Sequence, residues 1–259
     1  MSIIKKFRIT KFKNVKPLIS LKKISLSFKK NHLILDNISL DISKGEVIGL
    51  LGPNGAGKSS LMNIITGLIK PSYGSIIIAN EDITKYPIYN RTKKFKIALV
   101  PQSGGYFAEL STENNLFAIG EILIKDSNDR KFKIEKLISR FELDAVRKVE
   151  AKFLSGGMKR RLVISMALLG EPKILLMDEP LAALDPQTIQ MLQTIIVKLQ
   201  TEDNLTIIIT DHQARDLLAV CDKAIILSNS KIVAEGTPNE LIKNENATKL
   251  YFGDNFRFK

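Results

Sequence analysis

The chain has 259 residues, enough for one large α/β domain, and its content of 44% hydrophobic and 25% charged residues is ordinary for a folded soluble protein. It contains no apolar run of the roughly 20 residues that a membrane span requires. Its N-terminus lacks the apolar block of a signal peptide. A single cysteine, Cys221, excludes an intrachain disulfide and is typical of a reducing compartment. We therefore expect a cytoplasmic protein.

The formal net charge of +12 is concentrated at the N-terminus. Residues 1–30 contain ten of the 39 lysines and arginines and no acidic residue, so the rest of the chain is nearly neutral. A basic arm of this kind can contact anionic lipid headgroups or nucleic acid, or it can be a solvated tail. Because the body is nearly neutral, we expect no nucleic-acid partner and keep a lipid contact by residues 1–30 open.

The spacing of apolar residues predicts the elements in chain order. Strands are expected first at 21–28 and 38–43, with His32 in the turn between them. A buried strand, a glycine-rich turn and a helix follow at 45–51, 52–57 and 58–68, and then two strands at 75–79 and 97–100. Helical periodicity takes over from 111 to 170, with a helix start at 111–114 and helices at 132–142 and 158–169. Strand character returns at 173–180, 205–210, 223–228 and 231–236, with helices between the first two and after the last. This order predicts a mostly parallel sheet flanked by helices, a small antiparallel lobe and a helical insertion.

The glycine-rich turn has the pattern of a phosphate-binding loop. Residues Gly52–Ser59 read GPNGAGKS, which matches G-x-x-x-x-G-K-[ST] between a strand and a helix. Backbone N–H groups of such a loop surround phosphates, and the helix N-terminus adds partial positive charge. Lys58 is expected to reach the β- and γ-phosphates, and the Ser59 hydroxyl to bind Mg²⁺. The alternative, a glycine turn with an exposed lysine, does not account for all the fixed positions.

Polar residues end three of the predicted core strands. Asp178 and Glu179 follow the apolar run ILLM, His212 follows LTIIIT, and Gln102 follows IALV. Ligands bind at the carboxyl edge of open α/β sheets. We expect Asp178 to hold Mg²⁺, Glu179 to polarise an attacking water, His212 to sense the γ-phosphate and Gln102 to reach the metal or the water. The alternatives are a solvated turn and a structural histidine.

A second glycine pair opens a basic helix in LSGGMKRR, residues 154–161. Ser155 is expected to cap this helix, and its glycines allow a close backbone approach with free N–H groups. These residues predict an anion-binding surface but leave open whose anion it binds. The alternative is a capped helix that only packs against the core.

Six features occur in a fixed order along the chain, namely GPNGAGKSS, Gln102, LSGG, ILLMDEP, LAALD and His212. In this order they resemble the ATP-binding subunit of an ABC transporter, and the resemblance covers residues 20–245. The resemblance implies an α/β fold, namely a P-loop NTPase core with a mostly parallel sheet, a small antiparallel β lobe and a helical subdomain. It also implies ATP and Mg²⁺ as ligands, ATP hydrolysis, and a head-to-tail homodimer in which each LSGG helix start caps the nucleotide of the other chain.

The same resemblance assigns roles to residues. It makes Glu179 the general base, Asp178 and Ser59 metal ligands, His212 the γ-phosphate switch and Gln102 a metal-linked coupling residue. The remaining nucleotide and dimer contacts would be the adenine-stacking Phe28, the phosphate-loop residues Gly52, Pro53, Asn54, Gly55, Ala56, Gly57, Lys58, Ser59 and Ser60, the trans-acting Ser155, Gly156 and Gly157, and Asp185 in the dimer-contact loop.

The resemblance further divides the chain into parts. These are a basic arm (1–20), the first part of the nucleotide-binding core with the antiparallel lobe (21–110), the helical subdomain (111–170), the second part of the core (171–245) and a tail (246–259). Two membrane transporter subunits would dock near Gln102–Leu116. Met158 departs from the usual glutamate or glutamine and is expected to alter the rate without abolishing activity. Ser60, in place of threonine, is a minor change.

Three further stretches, ITDHQARDLLAVCDKAIIL, GTPNELI and YFGDNFRF, look like the cytoplasmic ATPase of the lipopolysaccharide export transporter of Gram-negative bacteria. That similarity implies a protein peripheral to the cytoplasmic face of the inner membrane. The nearest alternative is the ATPase of branched-chain amino-acid importers, followed by a non-transport ABC ATPase acting on nucleic acid. A nucleotide-binding module without turnover conflicts with the intact Glu179.

Overall fold

The computed structural model describes residues 16–29 and 32–253. Most of the predicted basic arm, and residues 254–259 of the predicted tail, lie outside the described residues. Within them the strands and α-helices are, in chain order, β1 Ile19–Lys29, β2 His32–Ile42, β3 Val47–Leu51, α1 Lys58–Thr66, β4 Tyr73–Ile78, β5 Glu81–Asp82, α2 Ile88–Phe95, β6 Ile97–Val100, α3 Thr112–Leu123, α4 Ser127–Arg140, α5 Gly156–Leu168, β7 Ile174–Asp178, α6 Pro186–Thr201, β8 Thr206–Thr210, α7 Ala214–Leu218, β9 Lys223–Ser228, β10 Lys231–Gly236, α8 Pro238–Ile242 and α9 Glu245–Ala247.

Two sheets organise the fold. The larger has the strand order β10-β9-β3-β8-β7-β6, in which only the β10–β9 pair is antiparallel. The smaller has the order β2-β1-β4-β5 and is antiparallel throughout. The predicted fold class, a mostly parallel sheet with a small antiparallel lobe and a helical part, is therefore confirmed.

The first hairpin corrects the sequence prediction. His32 does not lie in a turn but is the first residue of β2, and it pairs with Lys29. The predicted turn region, residues 29–37, also included Asp36 and Asn37, which instead form a bulge within β2, where Asn37 has a φ of 55° and its N–H donates to Ser25 Oγ at 2.9 Å. Asparagine tolerates this left-handed conformation, so a turn-like dipeptide is accommodated inside a strand.

The two faces of the larger sheet bury separate apolar clusters. Val47 and Leu51 of β3 pack into the cluster that includes α3 to α7, whereas Ile48 and Leu50 pack into the cluster shared with the small sheet and α1. Successive strand side chains point to opposite faces, so β3 is buried on both. Helices on one face and the antiparallel lobe on the other leave the carboxyl edge of the sheet as the place for a site.

The helices between β6 and β7 begin at side-chain caps. Ser111 caps α3, Asp126 caps α4 and Ser155 caps α5 by accepting from backbone N–H groups. An arginine, Arg147, ties α3 to α4 by pairing with Glu113 at 2.9 Å and also with Glu135. Among the described residues, no helix is long and apolar enough to cross a membrane.

Candidate functional site

Four parallel strands deliver their carboxyl ends to one edge of the larger sheet. The phosphate-loop pattern follows β3, Gln102 follows β6, Asp178 and Glu179 lie at the end of β7, and His212 follows β8. These strands are sheet neighbours in the order β3-β8-β7-β6. The structure therefore brings the residues predicted from separate motifs to the same edge, as expected of a doubly wound sheet.

The glycine turn is shaped by close backbone packing. Gly57 has a φ of +97°, and a Cβ there would lie 2.7 Å from Leu35 Cδ2 and 2.8 Å from the Ile34 carbonyl oxygen of β2. Gly52 is equally confined, since a Cβ would lie 2.2 Å from the Leu227 carbonyl oxygen. The turn leads into α1, whose N-cap Gly57 supplies no side-chain hydrogen bond. The first N–H groups of α1 are thus open to an anion.

Lys58 is folded back into this loop. Its Nζ donates to the carbonyl oxygens of Gly52 at 2.7 Å and Pro53 at 3.0 Å. Burial lowers the pKa of the ammonium group, while the nearby carboxylates of Glu179, Asp178 and Asp211 oppose that shift. A buried cation that is satisfied only by carbonyl oxygens is suited to take phosphate oxygens as additional partners.

The oxygen donors beside the loop suit a magnesium ion. The Ser59 hydroxyl donates to Asp178 Oδ1 at 3.3 Å, and the Thr210 hydroxyl donates to the same oxygen. In the described part of the chain, no group of three or more histidine, cysteine or acidic side chains forms a complete metal site. Mg²⁺ is commonly held by one or two carboxylates together with substrate phosphates, which fits this partial set.

The carboxylate of Glu179, at the end of β7, contacts side chains that follow the two neighbouring strands, β6 and β8. Its Oε2 accepts from Gln102 Nε2 at 2.6 Å, and its Oε1 lies 2.5 Å from His212 Nε2. Glu179 is only 8% exposed and has a φ of +48°, which is uncommon for a residue other than glycine. Its N–H is held by the carbonyl oxygen and the hydroxyl of Thr210, each at 3.0 Å. Strain of this kind is often found at functional sites.

The start of α5 packs against the segment that contains Asp185. A Cβ on Gly157 would lie 2.5 Å from Thr188 Cγ2, and one on Gly156 would lie 3.3 Å from Leu184 Cδ2. Ser155 Oγ accepts from the N–H of Met158 at 3.3 Å. Asp185 caps α6 by accepting from the N–H groups of Gln187 and Thr188 at 3.0 Å.

These two capped helix starts form one surface. Ser155, Gly156 and Asp185 are all exposed, whereas Gly157 is buried between the helices. The sequence motifs LSGG and LAALD, predicted to meet another chain, are therefore neighbours in this one.

Phe28 lies at the end of β1 with 62% of its surface exposed. The preceding residue, Ser27, pairs with Leu33, and the following residues of β2, Ile34 and Leu35, contact the loop at Gly57. The ring of Phe28 is thus open at the end of the small sheet that contacts the phosphate loop. An open ring face is what stacking on a base requires.

The stretch Gln102–Leu116 is fixed by a buried amide. The Asn115 side chain accepts from the N–H of Phe107 at 2.7 Å and donates to carbonyl oxygens including that of Leu110 at 3.1 Å. Phe107 remains 49% exposed. A firmly held loop therefore presents an aromatic ring on the surface predicted to receive membrane subunits.

Sequence reasoning missed two groups at this edge. Asp211 is fully buried, its carboxylate accepts from the N–H groups of Leu181 and Gln213 at 3.0 Å, and burial raises its pKa. Arg160 reaches from α5 to the backbone of Gln102 and Glu179. Asp211 adjoins His212 in the sequence and was recognisable as a strand-end acid. The contacts of Arg160 span nearly 60 positions, and no local pattern indicates them.

Comparisons with known proteins agree with this geometry. A family model described as ABC transporter matches residues 35–182, more than half of the chain. The lipopolysaccharide export system ATP-binding protein LptB of Escherichia coli (strain K12) is 36% identical over 231 residues, which are 88% of this chain and 94% of that protein.

Solved structures agree as well. MJ1267, an ATP-binding cassette of an ABC transporter, matches with a TM-score of 0.83 at 26% identity and covers 92% of this chain and 100% of its own. The dimeric post-hydrolysis structure of the ATP-binding cassette MJ0796, bound to ADP and Pi, matches with a TM-score of 0.75 at 27% identity over 85% of this chain and 98% of its own. The chain therefore belongs to the ABC transporter family, and it is an ATP-hydrolysing, nucleotide-binding subunit.

Proposed function

We propose that this chain is the ATPase subunit of a transporter that extracts lipopolysaccharide from the inner membrane for export. The supporting observation is its 36% identity, across 94% of the relative's length, to an ATP-binding protein of the lipopolysaccharide export system. The same proposal includes the division into a nucleotide-binding core (21–110 and 171–245) and a helical subdomain (111–170).

The phosphates of ATP would bind at Gly52–Ser60. The open N–H groups at the start of α1 and the buried ammonium of Lys58 favour negative charge there. Phe28 would stack on the adenine through its exposed ring. Ser59 and Asp178 would hold Mg²⁺, with Gln102 near it, and the ion would neutralise charge on the phosphate oxygens. Glu179 would then act on a water molecule in line with the γ-phosphate.

The hydrolytic step depends on which partners Glu179 keeps. Both of its oxygens are engaged, one by Gln102 and the other by His212. Each oxygen keeps a second lone pair with which Glu179 could accept a proton from the attacking water, and an exchange of these contacts would release the two partner side chains. His212 would then turn its imidazole towards the γ-phosphate, and Gln102 towards the metal.

The nucleotide would be enclosed by a second copy of this chain. Ser155 and Gly156 are exposed at the start of α5 beside Asp185, so their N–H groups and hydroxyl can meet a phosphate held by a partner. A homodimer is supported by the similarity to a dimeric ABC cassette bound to ADP and Pi. Two membrane subunits would dock near Gln102–Leu116, where Phe107 is exposed.

Co-purification tests the transporter assignment. The full chain, carrying an affinity tag, is isolated from membranes in mild detergent, and its partners are identified by mass spectrometry. We expect two integral membrane subunits and, after reconstitution with them, ATP-dependent release of lipopolysaccharide from vesicles. The Glu179→Gln variant should assemble but release none. Co-purification with a branched-chain amino-acid permease, or with nucleic acid, would contradict the proposal.

The proposal also specifies where in the cell the protein is located. The protein should be peripheral to the cytoplasmic face of the inner membrane and should be held there by its partners. Residues 1–30 would add a contact with anionic headgroups, since each basic residue near such a surface contributes about 1 kcal/mol. Deleting residues 1–15 tests this contact by measuring binding to anionic vesicles. An unchanged affinity would remove residues 1–15 from the proposed lipid contact.

A further inference from the structure

Arg160 connects α5 to the edge of the sheet that carries the hydrolytic residues. Its Nη1 donates to the Pro101 carbonyl oxygen at 2.9 Å, and its Nη2 donates to the carbonyl oxygens of Gln102 at 2.9 Å and Glu179 at 3.2 Å. These three acceptors belong to the two loops that follow β6 and β7. One side chain thus binds the backbone of Glu179, which carries the catalytic carboxylate, and the backbone of Gln102, whose amide binds that carboxylate.

The contact at Glu179 completes the restraint of a strained residue. The N–H of Glu179 is already held by Thr210, and Arg160 holds its carbonyl group. With both backbone groups bound, the left-handed φ of +48° is maintained and the carboxylate is aimed at Gln102 and His212. Release of the carbonyl would let this backbone relax towards a commoner conformation.

The electrostatic setting favours an arginine at this place. The guanidinium is partly buried and interacts electrostatically with the carboxylates of Asp178, Glu179 and Asp211. Its planar fork can bind several carbonyl oxygens at fixed angles while its charge balances the acids. A lysine would keep the charge but would reach these acceptors with a single, less constrained ammonium group.

We propose that Arg160 is a positioning residue, which holds the Glu179 carboxylate and the Gln102 amide of its own chain in the arrangement that hydrolysis requires. This inference rests on the proposed function of Glu179 as general base. It gives α5 two tasks, because its first residues serve the partner's nucleotide while Arg160, one turn later, serves its own chain. A shift of α5 when the partner's ATP binds would therefore move the base of the neighbouring site.

The test asks whether an Arg160 variant behaves like a lesion in the base or like a lesion in the helix start. Full-length Arg160→Met is compared with Glu179→Gln and Ser155→Arg for steady-state hydrolysis and for ATP-driven dimerisation by size-exclusion chromatography. We expect Arg160→Met to lose about 10- to 100-fold in kcat, as misplaced catalytic groups do, with little change in KM. It should still form the ATP-bound dimer, as Glu179→Gln does, whereas Ser155→Arg should not.

Two further variants complete the design. Lys133→Met is the matched control, since it removes one cation from the same helical region, where Lys133 forms ion pairs with Asp129 and Glu171. Arg160→Lys should recover part of the lost turnover, a rescue that a merely structural role would not predict. Should Arg160→Met fail to fold, reduced kcat with retained ATP-driven dimerisation in Arg160→Lys supports the proposal, and unchanged kcat overturns it.

Two other results would overturn the role of Arg160, and a third would instead overturn the proposed function. Turnover of Arg160→Met equal to that of Lys133→Met, or loss of the ATP-bound dimer as in Ser155→Arg, would overturn the positioning role. Normal turnover of Glu179→Gln would instead overturn the proposed function itself, whatever the Arg160 variants show.

Discussion

At the scale of single residues, the state of the Glu179 carboxylate is central to the site. Gln102 and His212 occupy its two oxygens, and its backbone is fixed by Thr210 and Arg160. Each oxygen keeps a second lone pair, so a carboxylate held in this way is accurately placed and can still accept a proton. We infer that nucleotide binding exchanges these contacts, since His212 and Gln102 are the groups proposed to turn towards the γ-phosphate and the metal.

Replacing Glu179 with glutamine tests the assigned base. The amide keeps the size of the side chain but cannot accept a proton, so we expect hydrolysis to fall by a factor of about 100 or more. ATP binding should persist, and the protein should accumulate as an ATP-bound dimer. Phosphate release and size-exclusion chromatography measure the two effects. Glu171→Gln, which alters an exposed acid paired with Lys133, is the control. Undiminished turnover would contradict the base role.

Met158 is a second informative residue, because it occupies the third position of α5. Its N–H donates to Ser155 Oγ, and its side chain is half-buried against the core. A glutamate at this position would complete a capping box, in which its carboxylate reaches back to the backbone N–H of Ser155. It would also place negative charge at the helix start.

We therefore expect Met158→Glu to raise the unfolding free energy by about 0.3–1 kcal/mol and to change the rate of hydrolysis without abolishing it. Chemical denaturation and steady-state kinetics measure the two effects, and the neutral Met158→Gln separates capping from charge. Loss of all activity in Met158→Glu would show that the apolar side chain is required.

At the scale of elements, the loop between β8 and α7 depends on a buried acid. Asp211 accepts the N–H of Gln213 within the loop and the N–H of Leu181 from the loop after β7. Burial raises its pKa above the ordinary aspartate value. The folded protein therefore binds this proton more tightly than the unfolded chain. The resulting stabilisation is fully present below the ordinary pKa and is lost as the pH rises through the raised folded value.

Asp211→Asn removes this titration and replaces one acceptor oxygen with an NH₂ group. One backbone N–H then lacks its partner, so we expect a loss of about 1–3 kcal/mol at pH 7. The fall in stability with rising pH that Asp211 contributes should also disappear. Urea unfolding at a series of pH values measures both, with the exposed Asp144→Asn as control. An identical pH dependence in wild type and Asp211→Asn would contradict the buried-acid interpretation.

The elements also show how much of the secondary structure can be predicted from the sequence. Strands with strong apolar runs were predicted accurately, and the bounds of β6, β9 and β10 agree in full. The short helices α2 and α7 were missed, because five to eight residues carry too little periodicity. Helix α4 starts earlier than predicted because Asp126 caps it ahead of its first apolar residue.

The site divides in the same way. The phosphate loop and the strand-end residues were predictable, since parallel strands bring their carboxyl ends together. Contacts set by tertiary packing were not predictable. In the sequence Arg160 is one of several cations on a basic helix, and only the packing of α5 on the sheet edge brings it to its three carbonyl partners.

At the scale of the whole molecule, one chain carries two glycine-containing helix starts with different tasks, an uncapped one at α1 and a capped one at α5. The start of α1 faces the chain's own loop, whereas that of α5 lies exposed beside Asp185. In the proposed dimer, each nucleotide lies between the α1 start of one chain and the α5 start of the other. A substitution in either helix start should therefore impair one specific nucleotide site of the dimer and leave the other site unaffected.

A mixed dimer tests this arrangement. One chain carries Ser155→Arg and the other Lys58→Ala, with Glu179→Gln in both so that bound ATP is trapped. If the sites are composite, both lesions fall on one site and the other stays intact, so one ATP is trapped per dimer. If each chain used its own α5 start, every site would contain a lesion and no ATP would be trapped. The matching homodimers, in which each site carries a lesion in either arrangement, set the background. Because trapping requires no turnover, the result does not depend on whether the two sites must hydrolyse together.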